Sequence, residues 1–246
     1  MADLRFYDKI PNGAPADSLL NSLMEDYFEY KHFKNITQRN AVVKILKRET
    51  DVIVSLPKGH GRTTCFQLPM VICPKKVSIV VVGVSSRIEE QMTRLNRRHV
   101  HAESIDADTS SEEYDDIKST INYLSSIKST LNSILYVTPD GVLTDNFFNL
   151  LLHLSDSNSL GYIAVDLSYC EEDWSRGLTR EGYALGFLRN QFVDTSWIVT
   201  TEKPCSEFIN NIKSILGLRT RRVDDIPVDA VPWFSMAIDD DDELDR

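Results

Sequence analysis

The amino-acid sequence predicts an α/β fold, a parallel sheet with helices on both faces. Short Val- and Ile-rich runs such as DVIVSL and VSIVVV recur along the chain, each followed by a stretch of helical periodicity rather than a hairpin turn. Runs of that kind mark strands buried on both faces, and parallel strands are covered in this way. Between the first run and its helix, residues 56–63 read LPKGHGRT, so strand, glycine-rich loop and helix start follow in order. Gly59 and Gly61 let successive backbone N–H groups converge on an anion, and the helix adds its positive N-terminal end.

Residues 1–16, with Pro11, Gly13 and Pro15, read as irregular. Asp17 then makes an N-cap for a helix carrying Leu19, Leu20, Leu23, Met24, Tyr27 and Phe28 along one side. A second helix is predicted over 37–48, with Ala41, Val42, Ile45 and Leu46 turned inward. Strands are predicted at 52–56, 77–82, 134–137, 162–166 and 197–200, with a short one near 102–105. Helices alternate with them at 63–72, 86–96, 112–127, 141–154, 180–192 and 205–216. This order describes a single RecA-like P-loop lobe over residues 17–218. Residues 219–246, with Pro227 and Pro232, read as an extended C-terminal segment ending in an acidic tail, with disorder expected from Asp239.

At 246 residues the chain is long enough for one large α/β domain with a sizeable core. Its net charge of −10 is uneven: the last eight residues, DDDDELDR, hold six acids and one arginine, so the body is only mildly acidic. No basic stripe of the kind that tracks phosphates stands out. The densest clusters, Arg94, Arg97 and Arg98, then Arg219, Arg221 and Arg222, read as solvated faces. Cys65, Cys73, Cys170 and Cys205 form no CxxC pair and read as reduced thiols of a cytosolic or nuclear protein. The N-terminus has no signal-peptide pattern and no apolar run approaches 18 residues, so no membrane partner is expected.

The glycine loop needs two further groups to handle a nucleotide: a lysine for the β- and γ-phosphates, and a Ser or Thr for Mg²⁺. Thr63 fills the second role. At the first stands Arg62, a planar fork rather than a compact ammonium, which is not a conservative exchange at a tight site. Read alone, the loop is either a weakened phosphate cradle or a glycine-rich turn with no ligand.

Several segments together resemble the RecQ DNA helicase family over about residues 27–216. LPKGHGRTTCFQLP, 56–69, resembles LPTGxGKSxCYQLP, with Cys65, Gln67, Leu68 and Pro69 in register. FKNITQ, carrying Phe33, Lys34 and Gln38, looks like the family's adenine-recognition element, with a spacing similar to that of the fifth-type branch of animal RecQ proteins. ILYVTPD, 134–140, resembles ILYxTPE, and GYIAVDLSYCEEDW, 161–174, resembles xYLVVDEAHCxSQW. The match continues through Tyr183, Leu185, Gly186, Leu188 and Arg189. The resemblance implies a nucleotide site of Phe33, Lys34, Gln38, Lys58, Gly59, His60, Gly61, Arg62 and Thr63, taking ATP weakly. It implies Mg²⁺ on Thr63 and Asp166, no other cofactor, and a nuclear protein.

The departures fall where the family does its chemistry. Leu167 stands where the resemblance implies a glutamate that positions water, and Ser168 and Tyr169 replace the alanine and histidine that follow it. Asp166 remains, either as an Mg²⁺ ligand or as a strand-end carboxylate left by descent. WSRGLTR, 174–180, keeps only Trp174 of an aromatic-rich loop, so Trp174 is a candidate nucleic-acid or partner contact, or a packing residue. WIVTTEKP, 197–204, keeps only Thr200 of the run that links hydrolysis to unwinding. The linker to the family's second lobe would begin near 224–234. These losses imply a catalytically inactive lobe that binds a protein partner, with a nucleotide switch and a non-catalytic DNA-binding module as the other readings.

Overall fold

Successive side chains of a strand point to opposite faces of its sheet, and in this chain both faces are apolar. Val52 and Val54 enter one core while Ile53 between them enters the other, and Val80 and Val82 are divided from Ile79 and Val81 in the same way. A strand apolar on both sides can sit only between two layers of helices. The computed structural model, which describes residues 17–73, 76–83, 85–126, 133–169, 179–218 and 223–226, has that arrangement.

Seven parallel strands run in the order β3-β4-β2-β5-β6-β1-β7. They are β1 (Asp51–Ser55), β2 (Val77–Val81), β3 (His101–Ile105), β4 (Ser133–Val137), β5 (Leu160–Asp166), β6 (Ser196–Thr201) and β7 (Val223–Ile226). The helices are α1 (Asp17–Phe28), α2 (Ile36–Lys47), α3 (Arg62–Val71), α4 (Ser85–Arg97), α5 (Ser111–Ser126), α6 (Asp145–Asp156), α7 (Arg180–Gln191) and α8 (Ser206–Leu216). Side chains of α1 to α4 pack on one face of the sheet and those of α5 to α8 on the other.

The predicted strands and helices are present, with their ends moved by a residue or two. Three details differ from the sequence reading. Asp17 lies inside the first turn of α1, where its carboxylate faces the positive helix end and pairs with Arg39 of α2. The helix predicted over 141–154 is broken, because Thr144 caps a fresh start: its Oγ1 accepts from Phe147 N at 3.2 Å, and a 3₁₀ turn, Gly141–Leu143, precedes it. The third is β7, which adds to the sheet edge beside β1 from within the 219–246 segment. VDDI offers no apolar run, so hydrophobic pattern could not have marked it as a strand.

One buried ion pair ties the base of the sheet together. Asp51, first residue of β1, accepts from Arg189 Nε (3.1 Å) and Nη2 (2.6 Å) of α7 on one oxygen and from Trp197 N of β6 (3.2 Å) on the other. Arg189 Nη1 also donates to the Val193 carbonyl at 3.3 Å. A charge buried this deeply is stable only while its partner stays. Arg189→Met is therefore expected to lower the unfolding free energy in urea by about 3–5 kcal/mol, and an unchanged midpoint would contradict the assignment.

Candidate functional site

In open parallel sheets ligands bind beyond the carboxyl ends of the strands. Here that edge carries the loop after β1, Asp166 at the end of β5, and the 202–205 segment after β6. Gly59 and Gly61 have φ of 80° and 81°, a left-handed conformation that fits glycine and turns the chain from β1 into α3. Gly61 caps α3 without a side chain, leaving no side-chain acceptor on its first N–H groups.

The loop is held from below by the 33–38 segment. Lys34 Nζ donates to the Gly59 carbonyl at 3.0 Å, Asn35 Nδ2 to the His60 carbonyl at 3.5 Å, and Gln38 Nε2 to the Gly61 carbonyl at 3.1 Å. Gln38 Oε1 accepts from Lys34 N at 2.7 Å. A Cβ at residue 61 would meet Gln38 Nε2 at 2.1 Å, so loop and glutamine fit only because Gly61 has none. His60 Nδ1 donates to the Lys58 carbonyl at 3.1 Å, which folds its ring onto the loop rather than into the cleft.

A cleft of about 280 Å³ opens over this loop. Of the residues the sequence singled out, Lys34, Gln38, Lys58, Gly59, Gly61, Arg62, Thr63 and Asp166 line it. Phe33 and His60 do not, and Phe33 packs instead against the core under α1 and α2. Trp174 lies outside the described residues. The aromatic on the cleft wall is Tyr30, and α4 contributes Arg87, Glu90, Gln91 and Arg94. Sequence reasoning missed this helical wall, although residues 87, 91 and 94 recur at i, i+4 and i+7 and so share one face.

Arg62 does not point its whole charge at the cleft. Its Nη2 lies 2.5 Å from Glu202 Oε1, just past β6, and its side chain is 9 % exposed against 36 % for Glu202. Nη1 is buried without a hydrogen-bond partner. Nothing in the local sequence announced this pair, since its members are 140 residues apart.

Asp166 is buried at the end of β5, with Oδ1 accepting from Thr200 Oγ1 and Ser168 N, each at 3.2 Å. Thr63 lines the same cleft, so the hydroxyl and carboxylate that would hold Mg²⁺ are brought to one place. Leu167 is 0 % exposed and belongs to the core on the α5 to α8 side, so no carboxylate follows Asp166 at that position. Ser168 Oγ accepts from Arg87 Nη1 at 2.8 Å, fixing α4 to the end of β5. Among the described residues no cluster of three or more His, Cys, Asp or Glu side chains could hold a metal, and no helix is long and apolar enough to cross a membrane.

A glycine-rich loop after β1 and an aspartate ending β5, on a parallel sheet between two helix layers, make a helicase-like lobe. The chain belongs to the DEAD/DEAH box helicase family, whose model matches residues 35–173. It is 26 % identical to ATP-dependent DNA helicase Q5 of Rattus norvegicus over 81 % of this chain and 20 % of that protein. Against a putative ATP-dependent DNA helicase Q1 of Caenorhabditis elegans it is 26 % identical over 85 % of this chain and 32 % of the other. ATP-dependent DNA helicase RecQ of Haemophilus influenzae is 23 % identical over 73 % and 27 % respectively. The chain thus spans about a fifth to a third of the length of these relatives. Among solved structures, the DUF1998 helicase MrfA bound to DNA and AMPPNP aligns with a TM-score of 0.59 at 16 % identity, over 86 % of this chain and 29 % of that one. This likeness shows the fold.

Cys65, one turn into α3, donates through Sγ to the Gly61 carbonyl at 3.5 Å, and burial pushes its thiol up from the ordinary value to about 12. A raised thiol pKa favours the folded state while the thiol is protonated. That contribution is complete below the unfolded thiol's pKa and is lost as pH rises toward about 12. At pH 8 iodoacetamide is expected to modify exposed Cys205 and to spare Cys65 and Cys73, as read by peptide mass spectrometry. Comparable modification of Cys65 and Cys205 in the native protein would show that the loop helix is open.

Proposed function

We propose that this chain is a RecQ-helicase-like lobe that does not hydrolyse ATP and that serves as a binding module for a protein partner in the nucleus. The observation that carries the reading is the Arg62–Glu202 pair. In phosphoryl transfer the loop cation neutralises charge on the phosphates, and here that cation is neutralised by the protein's own carboxylate. Leu167 supports the same reading, because a buried leucine can neither orient a water molecule nor accept its proton. Both cores remain continuous beneath this altered edge, which fits a fold kept for its surface. The partner and the nuclear setting are carried by descent from DNA helicases and by this contrast alone.

A nucleotide-binding switch is the second reading. The cleft favours it, since Lys34, Lys58, Arg87 and Arg94 line it with Thr63 and Asp166 beside them. A non-catalytic DNA-binding module is the third reading, supported by the DNA helicase names of the relatives.

Purified protein incubated with Mg·ATP, with and without forked DNA, is expected to release phosphate no faster than buffer. Turnover well above background that Arg62→Ala abolishes would overturn the proposal.

A further inference from the structure

A site tells one nucleobase from another by offering unspent donors and acceptors to the base edge. In this cleft the glutamine in the adenine-reading position already uses one donor and one acceptor of its amide on the protein. Its oxygen takes Lys34 N, its nitrogen serves the Gly61 carbonyl, and it is 1 % exposed. At that burial the second N–H and the second lone pair of the amide are closed to solvent, so a base reaching Gln38 would have to displace the backbone N–H of Lys34 or the Gly61 carbonyl of the loop. Phe33, the aromatic of the same element, packs against the core and is absent from the cleft wall.

Charge, by contrast, is plentiful. Five cationic side chains line the cleft against the carboxylates of Glu90 and Asp166. Glu202 holds only one nitrogen of Arg62, whose buried Nη1 has no hydrogen-bond partner. Lys58 stands exposed on the loop, and its ammonium makes no ion pair among the described residues. Arg87 is fixed by a single bond to Ser168, which leaves the rest of its guanidinium for an anion.

We propose that the cleft binds a triphosphate chain without regard to the base it carries, with Lys58 and Arg87 as the main anion contacts in place of Arg62. The ligand class is a nucleoside triphosphate of any base, or inorganic tripolyphosphate. The proposal rests on the non-hydrolysing reading, in that the bound triphosphate stays intact.

Calorimetric titration of the full chain in magnesium, with ATP, GTP, tripolyphosphate and adenosine as separate ligands, tests it. Affinities for the three triphosphates are expected to agree within about threefold, and adenosine to give no heat. Lys58→Ala and Arg87→Ala should each weaken all three by about tenfold, the loss of one charge-assisted contact, with circular dichroism unchanged. ATP binding tenfold or more tighter than GTP, heat from adenosine, no heat from any triphosphate, or unaltered affinity in both variants would overturn it. Phosphate release followed in the same samples reports separately on the non-hydrolysing reading, while the ratio of affinities still decides this one.

Discussion

The structure depends on the carboxylate of Asp51. From the first position of β1 it binds Arg189 of α7 and the backbone of β6, so one buried charge fixes two adjacent strands and the helix that covers them. The parallel register that follows, Val52 beside Ile198 through Ser55 beside Thr201, brings both strands to the same level at their carboxyl ends. Leu56 N then bonds the Thr201 carbonyl at 3.0 Å. The phosphate loop leaves from one of these ends and Glu202 from the other, so Arg62 and Glu202 meet above the sheet. A feature at the base of the sheet thereby determines the electrostatics at its top.

That meeting changes what the loop can do. A phosphate cradle works through convergent N–H groups and a cation free to follow the charge it neutralises. Here the N–H groups keep their geometry, set by Gly59 and Gly61 and braced by Lys34, Asn35 and Gln38. The cation at the helix start instead has a partner before any ligand arrives. On the proposed reading the arrangement holds anions and stabilises poorly the charge that develops during bond cleavage.

Much of the fold was legible because its inner strands are buried on both faces, a pattern that hairpin proteins rarely show and that local sequence displays openly. The loop was legible because glycine alone tolerates its φ angles beside Gln38. Edge strand β7 was not, since VDDI carries no apolar run. Of the arginines in the α4 wall, Arg94 belongs to a cluster that the sequence marks as solvated and Arg87 to none, because nothing local says which way a helix turns its charged face. Glu202 was the least legible residue of all. Its role exists only through the pairing of β1 with β6, whereas Tyr30, just after α1, lines the cleft where the sequence points to Phe33.

The central claim is that Glu202 withholds the charge of Arg62 from the cleft, and a thermodynamic cycle on triphosphate affinity tests it most directly. Tripolyphosphate binding would be measured for the unaltered chain, Glu202→Gln, Arg62→Met and the double variant. The account predicts that Glu202→Gln tightens binding by about tenfold and that Arg62→Met removes the gain, a coupling of about 1.4 kcal/mol. Equal affinities in the unaltered chain and Glu202→Gln, or a gain that survives Arg62→Met, would contradict it.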